Sequence, residues 1–208
     1  MLAGHFGLAA IVKSRQQQLP LWALMLSTSL LDVVFVALYF LGYESYSVVP
    51  GTGGGYGEKI FTADYSHSLV GALGISLLAL IITWVVWGRR NALVIGAVVF
   101  SHWILDFVTH RGDLAVLPGN TNGLPRLGLG LWSIQPAAIA LELVLCILGA
   151  YFYYHASMRN AVKLERQRGK TGSSTAAATV NFRQNAIVAT LVMTVLFVAT
   201  LAADILVP

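Results

Sequence analysis

Five stretches of the chain are apolar, long and free of strict alternation: residues 19–41, 67–88, 91–110, 131–155 and 185–207. At ~1.5 Å per residue each reaches across the ~30 Å hydrocarbon core of a bilayer. Continuous runs predict helices and argue against a barrel, whose strands alternate apolar and polar positions. Only helices and closed barrels satisfy every backbone group in lipid. The expected fold is therefore all-α, a polytopic membrane helical bundle of about five spans. A sixth apolar run, residues 1–12, ends at Lys13 and Arg15. At roughly 20 Å it is too short to span, and it predicts a half-helix that lies at the interface or enters part-way. It lacks the basic residues that precede the apolar part of a signal peptide, because its charges follow.

The intervals between the runs set the organisation. Residues 42–66 and 111–130 are rich in glycine or proline and read as loops on one side. Within the first, Gly51-Thr52-Gly53-Gly54-Gly55-Tyr56-Gly57 has the look of a phosphate loop but lacks the Gly-Lys-Ser/Thr ending and a preceding strand. A flexible loop is expected there. Residues 157–184 are polar and basic, with Gly-Lys-Thr-Gly-Ser-Ser at their centre, and predict a partly disordered loop. The chain thus divides into a membrane domain over residues 1–155, a basic loop over 156–184 and an additional C-terminal transmembrane helix over 185–208. No internal repeat is evident.

Composition supports the membrane assignment: 57% of residues are hydrophobic and only 11% charged, with a mean hydropathy of +0.73. Ten of the 13 Lys and Arg residues fall on the side holding Lys13, Arg89, Arg90 and residues 159–183, against Lys59, Arg111 and Arg126 on the other. That bias places the first side in the cytoplasm and reports topology rather than a nucleic-acid partner. The lone cysteine, Cys146, lies within a span, so no internal disulfide is possible.

Against this apolar background the ionisable residues stand out. His102, Asp106 and His110 follow one another at intervals of four, along one stripe of a helix. Asp32 falls in mid-span, where aspartate costs about 3 kcal/mol. Ionisable groups at such depth face a cavity, a partner or an ion, although a His–Asp pair that merely joins helices would give the same pattern. Depths counted from each helix's basic end put His5, Asp32, His102, Asp106 and Glu142 in the middle-to-outer half, with His67 and His110 rimming it. Imidazole with carboxylate suits zinc first, with manganese or iron as alternatives. A divalent ion also offsets the cost of buried carboxylates. The candidate metal set is His5, Asp32, His67, His102, Asp106 and His110, with Asp32 and Asp106 as the catalytic candidates.

The pattern resembles the bacterial YdjM/YbcI-like family of inner-membrane metal-dependent hydrolases. Gly4-His5 matches its amino-terminal Gly-His, and Leu31-Asp32 its aspartate late in an apolar segment. Ser66-His67-Ser68-Leu69 matches its Thr-His-Ser-Leu loosely. Ser101-His102, Asp106 and Thr109 match its closing motif with the same spacing. The resemblance covers roughly residues 1–155. This chain departs from it at Thr62-Ala63-Asp64, where the family often has His-Arg-Gly, and at Val33, Val34 and Phe35, where it often has an acidic residue and a histidine. Asp64 and His110 are the substitutes in reach. The resemblance implies a divalent-metal hydrolase in the inner membrane. The charge bias and the depths put its site toward the outer side, and a site in the plane of the bilayer has lateral access to an ester or phosphoester of a lipid or lipid-linked substrate. Arg111 and Arg126 are candidates to attract a phosphate headgroup. The rival expectation is a metal-ion or proton transporter or channel component that uses the same residues. A haem protein is a third, which the aspartates fit poorly.

Overall fold

A computed structural model describes residues 1–171 and 181–206. The chain forms helices α1 (Leu2–Arg15), α2 (Leu21–Thr28) and α3 (Leu30–Phe40), a hairpin of β1 (Ser45–Val48) and β2 (Lys59–Thr62), and helices α4 (Leu69–Trp87), α5 (Arg89–Thr109), α6 (Gln135–Thr171) and α7 (Phe182–Leu206). Helices α4 to α7 are each long and apolar enough to cross a membrane, and α2 with α3 adds a fifth crossing if the bent pair is one span. The fold is a polytopic membrane helical bundle.

Helix α5 is the axis of this bundle. Ala92, Ile95 and Val99 recur at helical spacing on its buried stripe, and the same stripe continues into His102, Asp106 and Thr109. Leu24, Leu31, Ala72 and Trp103 complete the apolar core around its lower part. Helices α4 and α5 are joined by Gly88 alone, at φ +80°, a backbone conformation that only glycine adopts without strain. Leu78, Ile82 and Val85 on α4, and Leu191, Val195 and Val198 on α7, remain exposed on the apolar surface offered to lipid.

The half-helix α1 does not lie flat: it is inserted in the bundle, where Ala3, Gly4, His5, Gly7, Ala9 and Ala10 are buried. Its small side chains let its backbone meet that of α6, as small residues do between membrane helices. A Cβ on Gly7 would sit 2.5 Å from the Leu145 carbonyl oxygen, and one on Gly149 would sit 2.6 Å from the Gly7 oxygen. Met193, Phe197 and Leu201 of α7 close the other side of this contact against Ala3, Ala10 and Cys146.

Three expectations from the sequence are corrected. The span at residues 19–41 is broken, with α2 and α3 meeting at 53°. Ser27 Oγ donates to the Ala23 carbonyl, and both Thr28 Oγ1 and Ser29 Oγ donate to that of Met25. Three consecutive hydroxyls bonding back into the preceding turn bend a helix. The glycine-rich stretch 51–57 is a loop, but a strand does precede it: β1 and β2 form an antiparallel hairpin, paired from Ser45 with Thr62 to Val48 with Lys59. Finally, α6 continues to Thr171 instead of ending near His155, because Ala, Lys, Leu, Glu, Gln and Arg after Ser157 are strong helix formers despite their polarity. Residues 172–180 of the expected basic loop lie outside the described residues.

One end of the bundle gathers the basic segments, tied by Gln18 to Asn91, Asn160 to Gln17 and Arg183 to Glu165. The opposite end is roofed by the hairpin and residues 111–134. That roof also caps helices: the carbonyls of Ala115 and Val116 accept from Leu69 N and Val70 N at the start of α4.

Gly7→Val is expected to cost on the order of 1–3 kcal/mol by overpacking and to lift α1 from α6. Cys146, buried with its Sγ 3.3 Å from the Ala3 oxygen, would then react with a membrane-permeant maleimide. Wild type and Gly74→Val, which has open space around it, should stay unlabelled.

Candidate metal centre

At the roofed end the chain brings Asp32 from α3, His67 from the turn before α4, and His102 and Asp106 from α5 to one point. His5 comes in from α1 and His110 from just past α5. Asp106 is the hub. Its Oδ1 lies 3.2 Å from His5 Nε2, and its Oδ2 lies 3.0 Å from His102 Nε2, 3.5 Å from His67 Nε2 and 3.8 Å from His110 Nε2. Asp32 Oδ1 is 3.5 Å from the Nε2 atoms of both His67 and His102. Those two nitrogens are 3.3 Å apart. The His5 ring stacks on His102 at 3.8 Å and 9°. Five of the six side chains are at most 5% exposed, whereas that of Asp32 is 41% exposed.

Which ring nitrogen carries the proton follows from the partners behind the cluster. The Nδ1–H of His102 donates to the Thr28 carbonyl at 2.5 Å, a group that only accepts. Thr28 is the last residue of α2, so the helix break supplies one of the carbonyls that helix ends leave without an intrahelical donor. His110 Nδ1–H donates to Asp113 Oδ1 at 2.8 Å, while Asp113 Oδ2 accepts from Phe61 N. Burial alone would raise the Asp113 carboxyl. The hydrogen bond from His110, with that from the Phe61 N–H, more than offsets this and holds it below the usual carboxylate value. His67 Nδ1 lies 2.8 Å from Ser66 Oγ, whose single proton goes to Glu44 Oε2 at 2.7 Å, so Nδ1 is again the donor.

Three imidazoles thus commit Nδ1–H outward and turn Nε2 inward, the arrangement that outer partners impose on metal-binding histidines. His5 differs, for its Nδ1 is buried with no hydrogen-bond partner and its Nε2 faces Asp106.

The donor set fits a divalent ion. Two ligands at 2.0–2.1 Å on a tetrahedral centre stand about 3.3 Å apart, the separation found between His67 and His102. His5, His102 and Asp106 form one group, and Asp32, His67 and His102 another, with ligand atoms within 4.8 Å of one another in each. The cluster is a buried His/Asp site able to coordinate a metal ion, set partly within apolar helices. A cavity of about 70 Å³ adjoins it, walled by Phe35, Phe61 and Trp132.

Other candidates go elsewhere. His67 and His110 are not rim residues but are buried in the cluster itself. Glu142, at the depth expected, faces another way: it accepts from Gly4 N at 3.1 Å and Tyr56 Oη at 2.6 Å, tethering the turn that carries His5. Asp64 is held by Arg126 through bonds of 2.6 and 3.0 Å. Arg111 donates to Gly57, Trp132 and Ser133 within the roof. The outer partners Thr28, Glu44 and Asp113 escaped the sequence reading; the run Ser27-Thr28-Ser29 and the spacing from His110 to Asp113 carried signals for two of them. Family models, curated proteins and solved structures give no match to this chain.

Asp64→Asn is expected to leave metal stoichiometry unchanged while loosening the roof, with a stability loss of about 1–3 kcal/mol for the charged hydrogen bonds to Arg126. Elemental analysis and thermal unfolding of the same purified samples check the two halves.

Proposed function

We propose that this chain is an integral-membrane, metal-dependent hydrolase acting on an ester or phosphoester of a lipid or lipid-linked substrate. In the same reading it is a member of the YdjM/YbcI-like family, resident in the bacterial inner membrane with its site toward the outer side. The observation that carries the reading is that the Nε2 atoms of His67 and His102 stand 3.3 Å apart, each within 3.0–3.5 Å of carboxylate oxygens of Asp106 and Asp32. Imidazole with carboxylate at such spacing favours zinc, ahead of manganese or iron. When bound, such an ion polarises a substrate oxygen or acidifies a water.

The protein's own groups do the rest. Asp106, buried among the histidines, holds them at bonding distance of a common centre. Asp32, the open member, takes the proton from an attacking water as general base. The cavity of about 70 Å³ has room for one or two waters at roughly 30 Å³ each. Its walls of Phe35, Phe61 and Trp132 keep bulk solvent from the reacting centre. A lipid substrate is favoured by an apolar groove of about 660 Å³ among α1, α2, α6 and α7. Phe6 and Met25 line that groove, and its apolar walls suit an acyl chain.

The test is hydrolysis of labelled phospholipids by purified protein, beside metal flux in liposomes. Stripping the metal should abolish hydrolysis and zinc should restore it. His102→Ala and Asp106→Ala should lose zinc by more than the roughly 10–100-fold that an outer partner is worth. Asp32→Asn should keep zinc and lose about 10²–10⁴-fold in rate. Metal flux without hydrolysis would replace the enzyme with a transporter.

A further inference from the structure

The three outer partners differ in kind. A backbone carbonyl behind His102 and a carboxylate behind His110 can only accept, so those imidazoles have one choice of tautomer. Behind His67 stands a hydroxyl, which accepts or donates with equal ease. Something further back has to set its direction.

That group is Glu44, in the turn between α3 and β1, 3% exposed. Its Oε1 accepts from Tyr65 N at 2.8 Å and Ser66 N at 2.7 Å, and its Oε2 accepts from Ser66 Oγ at 2.7 Å. The ion pairs of the described residues include none to Glu44. A buried carboxylate is costly unless its oxygens are well satisfied, and here three donors converge on it one residue from the cluster. With the hydroxyl proton of Ser66 committed to Glu44, only the Ser66 lone pairs face His67.

We infer that Glu44 is a positioning residue: acting through Ser66, it keeps the His67 proton on Nδ1 and aims the Nε2 lone pair at the cluster. The competing role, a staple for the turn before α4, uses only the two backbone N–H groups on Oε1. Glu44→Gln separates the two roles because it preserves the staple and reverses the relay. The amide oxygen must face the two N–H donors, so its NH₂ faces Ser66 Oγ. Ser66 then accepts there and turns its one proton to His67 Nδ1. The imidazole proton moves to Nε2, and an N–H points at the cluster where a lone pair stood.

The consequence for metal affinity rests on the function proposed above, but the tautomer does not. Metal-free protein labelled with ¹⁵N-histidine, its His67 signals assigned against His67→Ala, reads the tautomer by long-range proton–nitrogen correlation. Zinc titration of the same samples reads the affinity. Wild type should show Nδ1–H and Glu44→Gln should show Nε2–H, with zinc binding about 10–100-fold weaker. Ser66→Ala, which leaves the staple intact, should release the Nδ1–H preference and weaken zinc binding, while Ser66→Thr should restore both. A Glu44→Gln protein, or a Ser66→Ala protein, that keeps His67 as Nδ1–H with full zinc affinity would overturn the relay. Reversal of the tautomer with no zinc bound by any sample, wild type included, would uphold the relay and sink the metal reading instead.

Discussion

Two imidazole Nε2 atoms held 3.3 Å apart in a low-dielectric interior, beside a buried carboxylate, set the terms for everything around them. Left unpaired, Asp106 would carry buried charge at a cost of several kcal/mol. The fold keeps three of the histidines in place because each is fixed from behind. The break between α2 and α3 gives a carbonyl to His102, Glu44 acts on His67 through Ser66, and Asp113 holds His110. Such pre-organisation suits a site able to coordinate a metal ion.

The same constraint explains why so much of the molecule concerns α1. A half-helix is a poor membrane element, yet the close backbone contact at Gly7 and Gly149 seats it against α6. Glu142 ties its first turn to Tyr56 in the roof. Both devices serve to deliver His5 on top of His102. The roof has a similar economy: Arg126 with Asp64 and Arg111 with the backbone of residues 57 and 132 lock the loops, and the aromatic walls that result enclose the cavity.

Much of this was legible in the chain, for an uneven set of reasons. Ionisable residues inside apolar runs are conspicuous, and the spacing of four between His102 and Asp106 gives a shared helix face, so the five side chains whose ligand atoms converge stand out in the sequence. Counting residues from the basic ends gives height in the membrane but not direction around a helix. That is why a count of residues gives Glu142 the same depth as the cluster although it turns toward Gly4. It is also why His67 and His110 were set at a rim when the turns that carry them fold inward. The α2–α3 break was written in three consecutive hydroxyls, a local signal outweighed by the apolar run around it. Glu44 had no signal at all: its partners lie 21 and 22 residues away, and only the folded turn brings them together.

The central claim is that a single cation belongs between His67 and His102. Anomalous diffraction from crystals of the zinc-loaded protein, measured at the zinc absorption edge, tests it directly. The expected result is one strong peak at about 2.0–2.1 Å from the Nε2 atoms of both histidines, with a carboxylate oxygen of Asp106 completing the contact. A map with no peak there, or with its peak at the basic end of the bundle, would contradict the claim.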